Sequence, residues 1–191
     1  MVDDSHAVGF VGPTGRGTPQ ICGVADRVDI LTGTLGKARG GASGGFTASR
    51  TEVVDWLRQR SRPYLFSNRL ATMIPATSLA VLDLLETDGA TLHHRLSENA
   101  PIFRTEMTAH GFTLLSGEQP IIPIMLVDPQ LAQEMAARLN YEGVFVTAFS
   151  YPVVPRGRDR IHTQMSAAHD EATLRRGIEA LARVGRAMGV I

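Results

Sequence analysis

The chain has 191 residues, no net charge at pH 7, 43% hydrophobic residues and 20% charged residues. That balance is ordinary for a globular protein and argues against a nucleic-acid partner or a polybasic membrane attachment. With no apolar run of about eighteen residues and no signal-peptide pattern, the expectation is a cytoplasmic protein, and the single Cys22 has no internal disulfide partner.

Residues 1–50 alternate short apolar runs with glycine turns, as strand–loop–strand pieces of a larger sheet do. Val2 leads into Asp3-Asp4-Ser5-His6-Ala7-Val8-Gly9, the pattern of a strand end opening into a loop. Val28-Asp29-Ile30-Leu31 predicts a second strand, followed by Thr32-Gly33-Thr34-Leu35-Gly36-Lys37-Ala38 and the turn Gly40-Gly41-Ala42-Ser43-Gly44-Gly45. Ser49-Arg50-Thr51-Glu52 has capping-box spacing before the helical run Val53–Leu57. Ala76–Glu86 predicts a helix with Leu79, Leu82 and Leu85 along one side, closed by a turn at Thr87-Asp88-Gly89. Leu92–His110 predicts a further helix and Pro120–Val127 a strand. Pro129–Asn140 predicts a helix opened by proline, Val144–Phe149 a strand, and a last helix is expected to open at Asp170 with Leu174, Ile178, Leu181 and Met188 on one face. The implied organisation is a first region, 1–87, and a compact α/β region, 88–191.

A lysine between glycine turns, directly after a strand, is placed to form a Schiff base with a carbonyl cofactor. Phosphate-loop readings fail on spacing. Leu31 and Ala38 stand where a Walker A loop needs glycine and a hydroxyl residue, and Gln20 stands where a dinucleotide fingerprint after Gly15-Arg16-Gly17 needs its third glycine. Asp3 and His6 admit three readings: a partial metal pair, a hydrogen-bonded turn, or two contacts of a pyridoxal phosphate ring. The metal reading lacks the ligand number zinc requires. Only the third uses both motifs, with aspartate on the pyridinium nitrogen so that the ring acts as an electron sink. His93 and His94 are expected to face solvent, His110 to sit at a helix C-terminus, and His169 to be structural; no metal site is expected.

Asp3-Asp4-Ser5-His6-Ala7-Val8-Gly9-Phe10, Gly15-Arg16-Gly17 and Thr34-Leu35-Gly36-Lys37, in this order, resemble the α-oxoamine synthase family of pyridoxal phosphate enzymes. Trp56–Asn68, Tyr151–Pro155 and Thr163–His169 are similar to its glycine C-acetyltransferase branch. The resemblance implies an α/β fold, the C-terminal portion of a fold-type I pyridoxal phosphate transferase. Residues 1–87 would be a remnant of the cofactor-binding large domain and 88–191 the small C-terminal domain. It further implies that Lys37 carries the cofactor as an internal aldimine and moves protons at the substrate α-carbon. Asp3 would pair with the pyridinium nitrogen, His6 would bond the ring oxygen, and Thr34 would reach the phosphate. Phe66, Ser67 and Asn68 would reach the phosphate from a neighbouring subunit. The branch's reaction exchanges glycine and acetyl-CoA with 2-amino-3-oxobutanoate and CoA in threonine breakdown.

The departures are specific. His162 stands at the family's substrate-carboxylate arginine, replacing a charged two-pronged donor with a mostly neutral ring. Arg160, two residues away on the same strand face, would place its tip roughly 6–7 Å off. Arg39 replaces an apolar residue beside the lysine, and Arg69 and Thr72 replace small residues and proline after the Phe-Ser-Asn segment. The family's N-terminal segment has no counterpart here. Two readings follow: an acyltransferase fragment that forms a homodimer or joins a missing N-terminal half, and a non-catalytic remnant or dimerisation module that binds a full-length relative.

Overall fold

The structure is a computed structural model that describes residues 1–40 and 43–191; Gly41 and Ala42 of the expected glycine turn lie outside the described residues. The chain divides into two compact units, Met1–His93 and His94–Ile191.

In the first unit, β1 (Val2–Asp3), β2 (Ile30–Thr34) and β3 (Gly45–Ser49) form one sheet in that order. β1 runs parallel to β2, with Asp3 opposite Thr32, and β3 pairs antiparallel to β2. The loop joining β1 to β2 contains the short helix α1 (Thr18–Ile21) and a 3-10 turn at Ala25–Arg27. β2 starts later than the apolar run predicts and continues through Thr32-Gly33-Thr34. Gly33 makes that continuation possible, because a Cβ there would lie 2.6 Å from the Phe46 ring across the ladder.

Helix α2 (Thr51–Arg60) is capped at Arg50 with no side-chain bond, so the expected capping box does not form. Ser49 belongs instead to β3, opposite Ile30, and its hydroxyl donates to the Asp29 carbonyl at 2.7 Å. After α3 (Arg62–Phe66), helix α4 runs without interruption from Met73 to Ala109. The predicted turn at Thr87-Asp88-Gly89 is therefore helical. The Thr87 hydroxyl donates back to the carbonyls of Asp83 and Leu84, four and three residues before it, which is compatible with a continuing helix. The division between the units falls within α4.

In the second unit, β4 (Ile121–Met125), β6 (Arg160–Gln164) and β5 (Thr147–Phe149) form an antiparallel sheet in that spatial order. Helices α5 (Pro129–Tyr141) and α6 (Glu171–Ala187) open on Asp128 and Asp170, whose carboxylates accept from Leu131 N at 2.8 Å and Thr173 N at 2.7 Å. The strand expected from Val144 begins only at Thr147. Val144 closes α5: with Gly143 at φ 80°, Gly143 N donates to Asn140 O and Val144 N to Leu139 O. This pair of bonds satisfies two carbonyls of the last helical turn. Inward positions of the strands (Ile122, Ile124, Ile161) pack with Met135 and Leu139 of α5 and with Leu174, Ile178 and Leu181 of α6, all essentially closed to water. Among the described residues no helix is long and apolar enough to cross a membrane.

Candidate cofactor site

The parallel pair β1–β2 ends with both chains leaving the sheet at their carboxyl ends, where α/β folds present ligand-binding groups. His6 lies on the turn after β1 and Lys37 on the loop after β2, and Lys37 Nζ stands 2.9 Å from His6 Nε2. Asp3, at the end of β1, accepts through Oδ1 from both the Ser5 amide (3.1 Å) and the Ser5 hydroxyl (2.6 Å). Those two bonds hold its carboxyl below the usual carboxylate range, and the nearby charges of Lys37 and His6 add to the effect. Oδ2 takes no hydrogen bond among the described residues. All three side chains are open to solvent. Thr34 Oγ1 accepts from Gly36 N at 3.1 Å and donates to Gly44 O at 3.2 Å, which ties the start of the Lys37 loop to the residue just before β3.

Asp4, which sequence reasoning passes over in favour of Asp3, is the group that fixes this turn. It is 1% exposed, and its two carboxylate oxygens accept from Thr18 N at 3.1 and 3.3 Å. Its backbone carbonyl accepts from Ala7 N and Val8 N, each at 2.9 Å, which clamps the turn containing His6. The carboxylate fits only because position 17 is glycine. A Cβ on Gly17, at φ 89°, would fall 1.7 Å from Asp4 Oδ2. Gly15-Arg16-Gly17 therefore serves as a seat for a buried carboxylate. The signal available in the sequence was the doubled aspartate at a strand end, where alternation sends one side chain inward and its neighbour outward.

A second feature is compositional. Lys37 is the only lysine in the chain, and every other side-chain cation of the Lys/Arg class is arginine. Guanidinium groups cannot form a Schiff base, so one side-chain amine alone is available for carbonyl chemistry. Arg39, beside it, lies over the Phe46 ring at 5.3 Å, and burial lowers its pKa. The arginine is thus held by β3 rather than by the amine.

The remaining predicted residues are not gathered into this group by hydrogen bonds. Ser67 donates to the Pro63 carbonyl, Phe66 is 80% exposed, and Asn68 is exposed. His162 belongs to the second unit, on β6, with its ring centroid 4.2 Å from that of Phe149. Burial, with Arg160 close by, lowers its pKa. His93, expected in solvent, instead places Nε2 3.0 Å from the Phe10 carbonyl. His94 pairs with Glu98 at 3.2 Å, and His169 Nδ1 accepts from Ser166 N at 3.3 Å.

One primary amine, one anionic carboxylate with an unshared oxygen and one imidazole form a donor set that suits a pyridine ring bearing an aldehyde and a hydroxyl. Comparison with known proteins agrees. The model of the family described as aminotransferase class I and II matches residues 1–181, and the chain belongs to that family. It is 59% identical over all 191 residues to the 2-amino-3-ketobutyrate coenzyme A ligase of Escherichia coli (strain K12), covering 48% of that protein. It is 47% identical over the same span to the mitochondrial 2-amino-3-ketobutyrate coenzyme A ligase of Homo sapiens, covering 45% of it. A serine palmitoyltransferase from S. paucimobilis, solved with a bound PLP–myriocin aldimine, superposes with a TM-score of 0.90 at 30% identity, covering all of this chain and 48% of that one. The chain thus has the α/β fold of part of a fold-type I pyridoxal phosphate transferase, and it spans about half the length of the relatives it matches.

Proposed function

We propose that the chain carries the lysine-bearing part of a pyridoxal phosphate-dependent acyltransferase site of the glycine C-acetyltransferase type. The reaction exchanges glycine and acetyl-CoA with 2-amino-3-oxobutanoate and CoA, in threonine breakdown in the cytoplasm. The observation that carries this reading is the 2.9 Å approach of Lys37 Nζ to His6 Nε2 beside the Asp3 carboxylate. The names of the relatives support the substrate class.

Pyridoxal phosphate, when bound, supplies an electron sink for charge that develops at the amino acid's α-carbon. Lys37 would offer the amine that holds the cofactor's aldehyde carbon and, when free, the base that moves the α-carbon proton. Asp3, kept anionic by Ser5, would retain a proton on the ring nitrogen. His6 would hydrogen-bond the ring oxygen and orient Lys37. Thr34, with Phe66, Ser67 and Asn68 from a neighbouring subunit, would take the phosphate. Association with a second copy or with a complementing N-terminal half belongs to the same proposal. It is supported by the exposure of Trp56 (64%), Phe66 (80%), Met73 (69%) and Leu79 (63%) in the first unit. His162, a ring in place of an arginine, favours the second reading, a non-catalytic module that binds a full-length relative.

Pyridoxal phosphate added to the purified chain discriminates between them. The first reading expects a visible absorption band in the wild type that is absent in Lys37→Ala, and CoA release from acetyl-CoA that depends on glycine. A folded wild-type chain with no band leaves the second reading.

A further inference from the structure

Gln20 stands where a dinucleotide fingerprint would need its third glycine, and the structure gives it a different role. From helix α1, its side-chain Oε1 accepts from Thr14 N and from Arg16 N, each at 3.2 Å, and its Nε2 donates to the Thr14 hydroxyl at 2.8 Å. Among the described residues, every side-chain hydrogen bond that involves residues 12–16 is made with Gln20. Gly12 leaves room for it, since a Cβ there, at φ 88°, would fall 2.7 Å from Gln20 Oε1. Two side chains thus brace this loop: Asp4 at Thr18, and Gln20 at Thr14 and Arg16.

The braced residues reach the site through glycines. Gly15, between Thr14 and Arg16, accepts from Gly9 N at 2.8 Å. The two backbones approach so closely that a Cβ on Gly15, at φ 70°, would lie 2.9 Å from the Gly9 carbonyl oxygen. Gly9 in turn lies against the Lys37 loop, where its own Cβ would meet Ala38 Cβ at 3.5 Å and Arg39 Cγ at 3.7 Å. His6 shares a turn with Gly9, and Lys37 directly precedes Ala38. The packing of Gly15 on Gly9, and of Gly9 on Ala38, therefore sets the spacing between His6 and Lys37. Both side chains are exposed, so no apolar wall fixes their 2.9 Å contact. Backbone placement has to supply that precision, and a displacement of about 1 Å is enough to lose a productive contact.

We propose that Gln20 is a positioning residue of the Lys37 site: by bracing Thr14 and Arg16 it holds Gly15 against Gly9 and keeps His6 opposite Lys37 before any cofactor arrives. An amide suits the position because one oxygen serves two backbone N–H groups while the NH2 serves a hydroxyl. Glutamate can still accept from both N–H groups, with the Thr14 hydroxyl turned to donate, whereas leucine of similar size serves none of the three. That the held pair serves pyridoxal phosphate rests on the function proposed above; that Gln20 holds the pair does not.

The test uses the full chain without pyridoxal phosphate, at one fixed pH, and reads the His6–Lys37 contact itself. The ring nitrogens of the six histidines are recorded in long-range proton–nitrogen spectra, and His6→Gln assigns those of His6. Lys37→Ala is expected to shift the His6 signals in the wild-type background. In the Gln20→Leu background the same substitution should lose about half or more of that shift, and in the Gln20→Glu background most of it should return. Methyl signals of Val8, Val11 and Ile161 check that each variant is folded, and Gln20→Ala replaces the leucine variant if that one is not. A brace with no bearing on the site would speed amide exchange at Thr14 and Arg16 in the folded Gln20→Leu chain yet leave the Lys37→Ala shift at its wild-type size, and that result would overturn the proposal. So would wild-type His6 signals that ignore Lys37→Ala, or an equal loss in Gln20→Glu. A wild type with no pyridoxal phosphate band but an intact, Gln20-dependent shift counts against the proposed function and for the positioning role.

Discussion

The two units hold their shape by different means. In His94–Ile191, a three-stranded sheet and helices α5 and α6 enclose a continuous apolar core, and their helix ends are closed by Asp128, Asp170 and the Gly143 turn. Among the described residues of Met1–His93, the buried apolar side chains are Ala7, Val8 and Val11 with Pro19, all in the loop between β1 and β2, while α2–α4 leave Trp56, Tyr64, Met73 and Leu79 exposed. The chemically distinctive side chains lie in the unit with the smaller core. Their placement therefore rests on polar contacts: Asp4 seated on Gly17, Ser5 on Asp3, and the glycine turns around Lys37. A site held this way is local, and it is broken by local substitutions that leave the second unit intact.

The sharpest contrast is between core truncations. Ile161→Ala, at a position closed to water, should destabilise the second unit by about 2–5 kcal/mol in chemical denaturation. Leu79→Ala, at a position 63% exposed, should change stability by no more than about 0.5 kcal/mol. Equal effects would break the comparison. Next in size is Gly17→Ala, whose new Cβ would collide with Asp4. About 1–3 kcal/mol of local stability should be lost, read as faster amide exchange at Thr18, Ala7 and Val8 with the second unit's amides unchanged.

Gain is expected at Val127, a β-branched residue at φ 64° and 67% exposed. Val127→Asn tolerates that backbone better and should stabilise the second unit by up to about 1 kcal/mol. The smallest effect is a pH dependence. His162 has a lowered pKa in the folded chain, so below its ordinary value of 6.5 the unfolded state binds the proton more readily. The stability it contributes is present above about pH 6.5 and is lost as pH falls toward the folded value. His162→Gln should flatten that part of the denaturation-midpoint profile.

Legibility follows the same division. In the second unit, period and capping chemistry act together, and Pro120–Val127, Pro129–Asn140 and the Asp170 cap lie close to the observed β4, α5 and α6. Val144 misleads because its apolar side chain reads as strand while its amide closes α5. In the first unit, Thr87-Asp88-Gly89 reads as a turn, but α4 continues through it, since a threonine hydroxyl can bond its own helix. Asp3, His6 and Lys37 are legible as motifs because each sits at a strand end or in the loop that directly follows it. Asp4 and Gly17 are not, because their relation is a contact across thirteen residues that no local pattern encodes.

The central claim is that Lys37 is the carbonyl-reactive amine of this chain. Because it is the only lysine, the chain offers two primary amines, the N-terminus and Lys37. Borohydride reduction after incubation with pyridoxal phosphate, followed by peptide mapping, should place the pyridoxyl group on Lys37. His6→Ala and Asp3→Ala should each reduce the yield there. Label on the N-terminus alone, or equal labelling of both amines unaffected by His6→Ala and Asp3→Ala, would contradict the account.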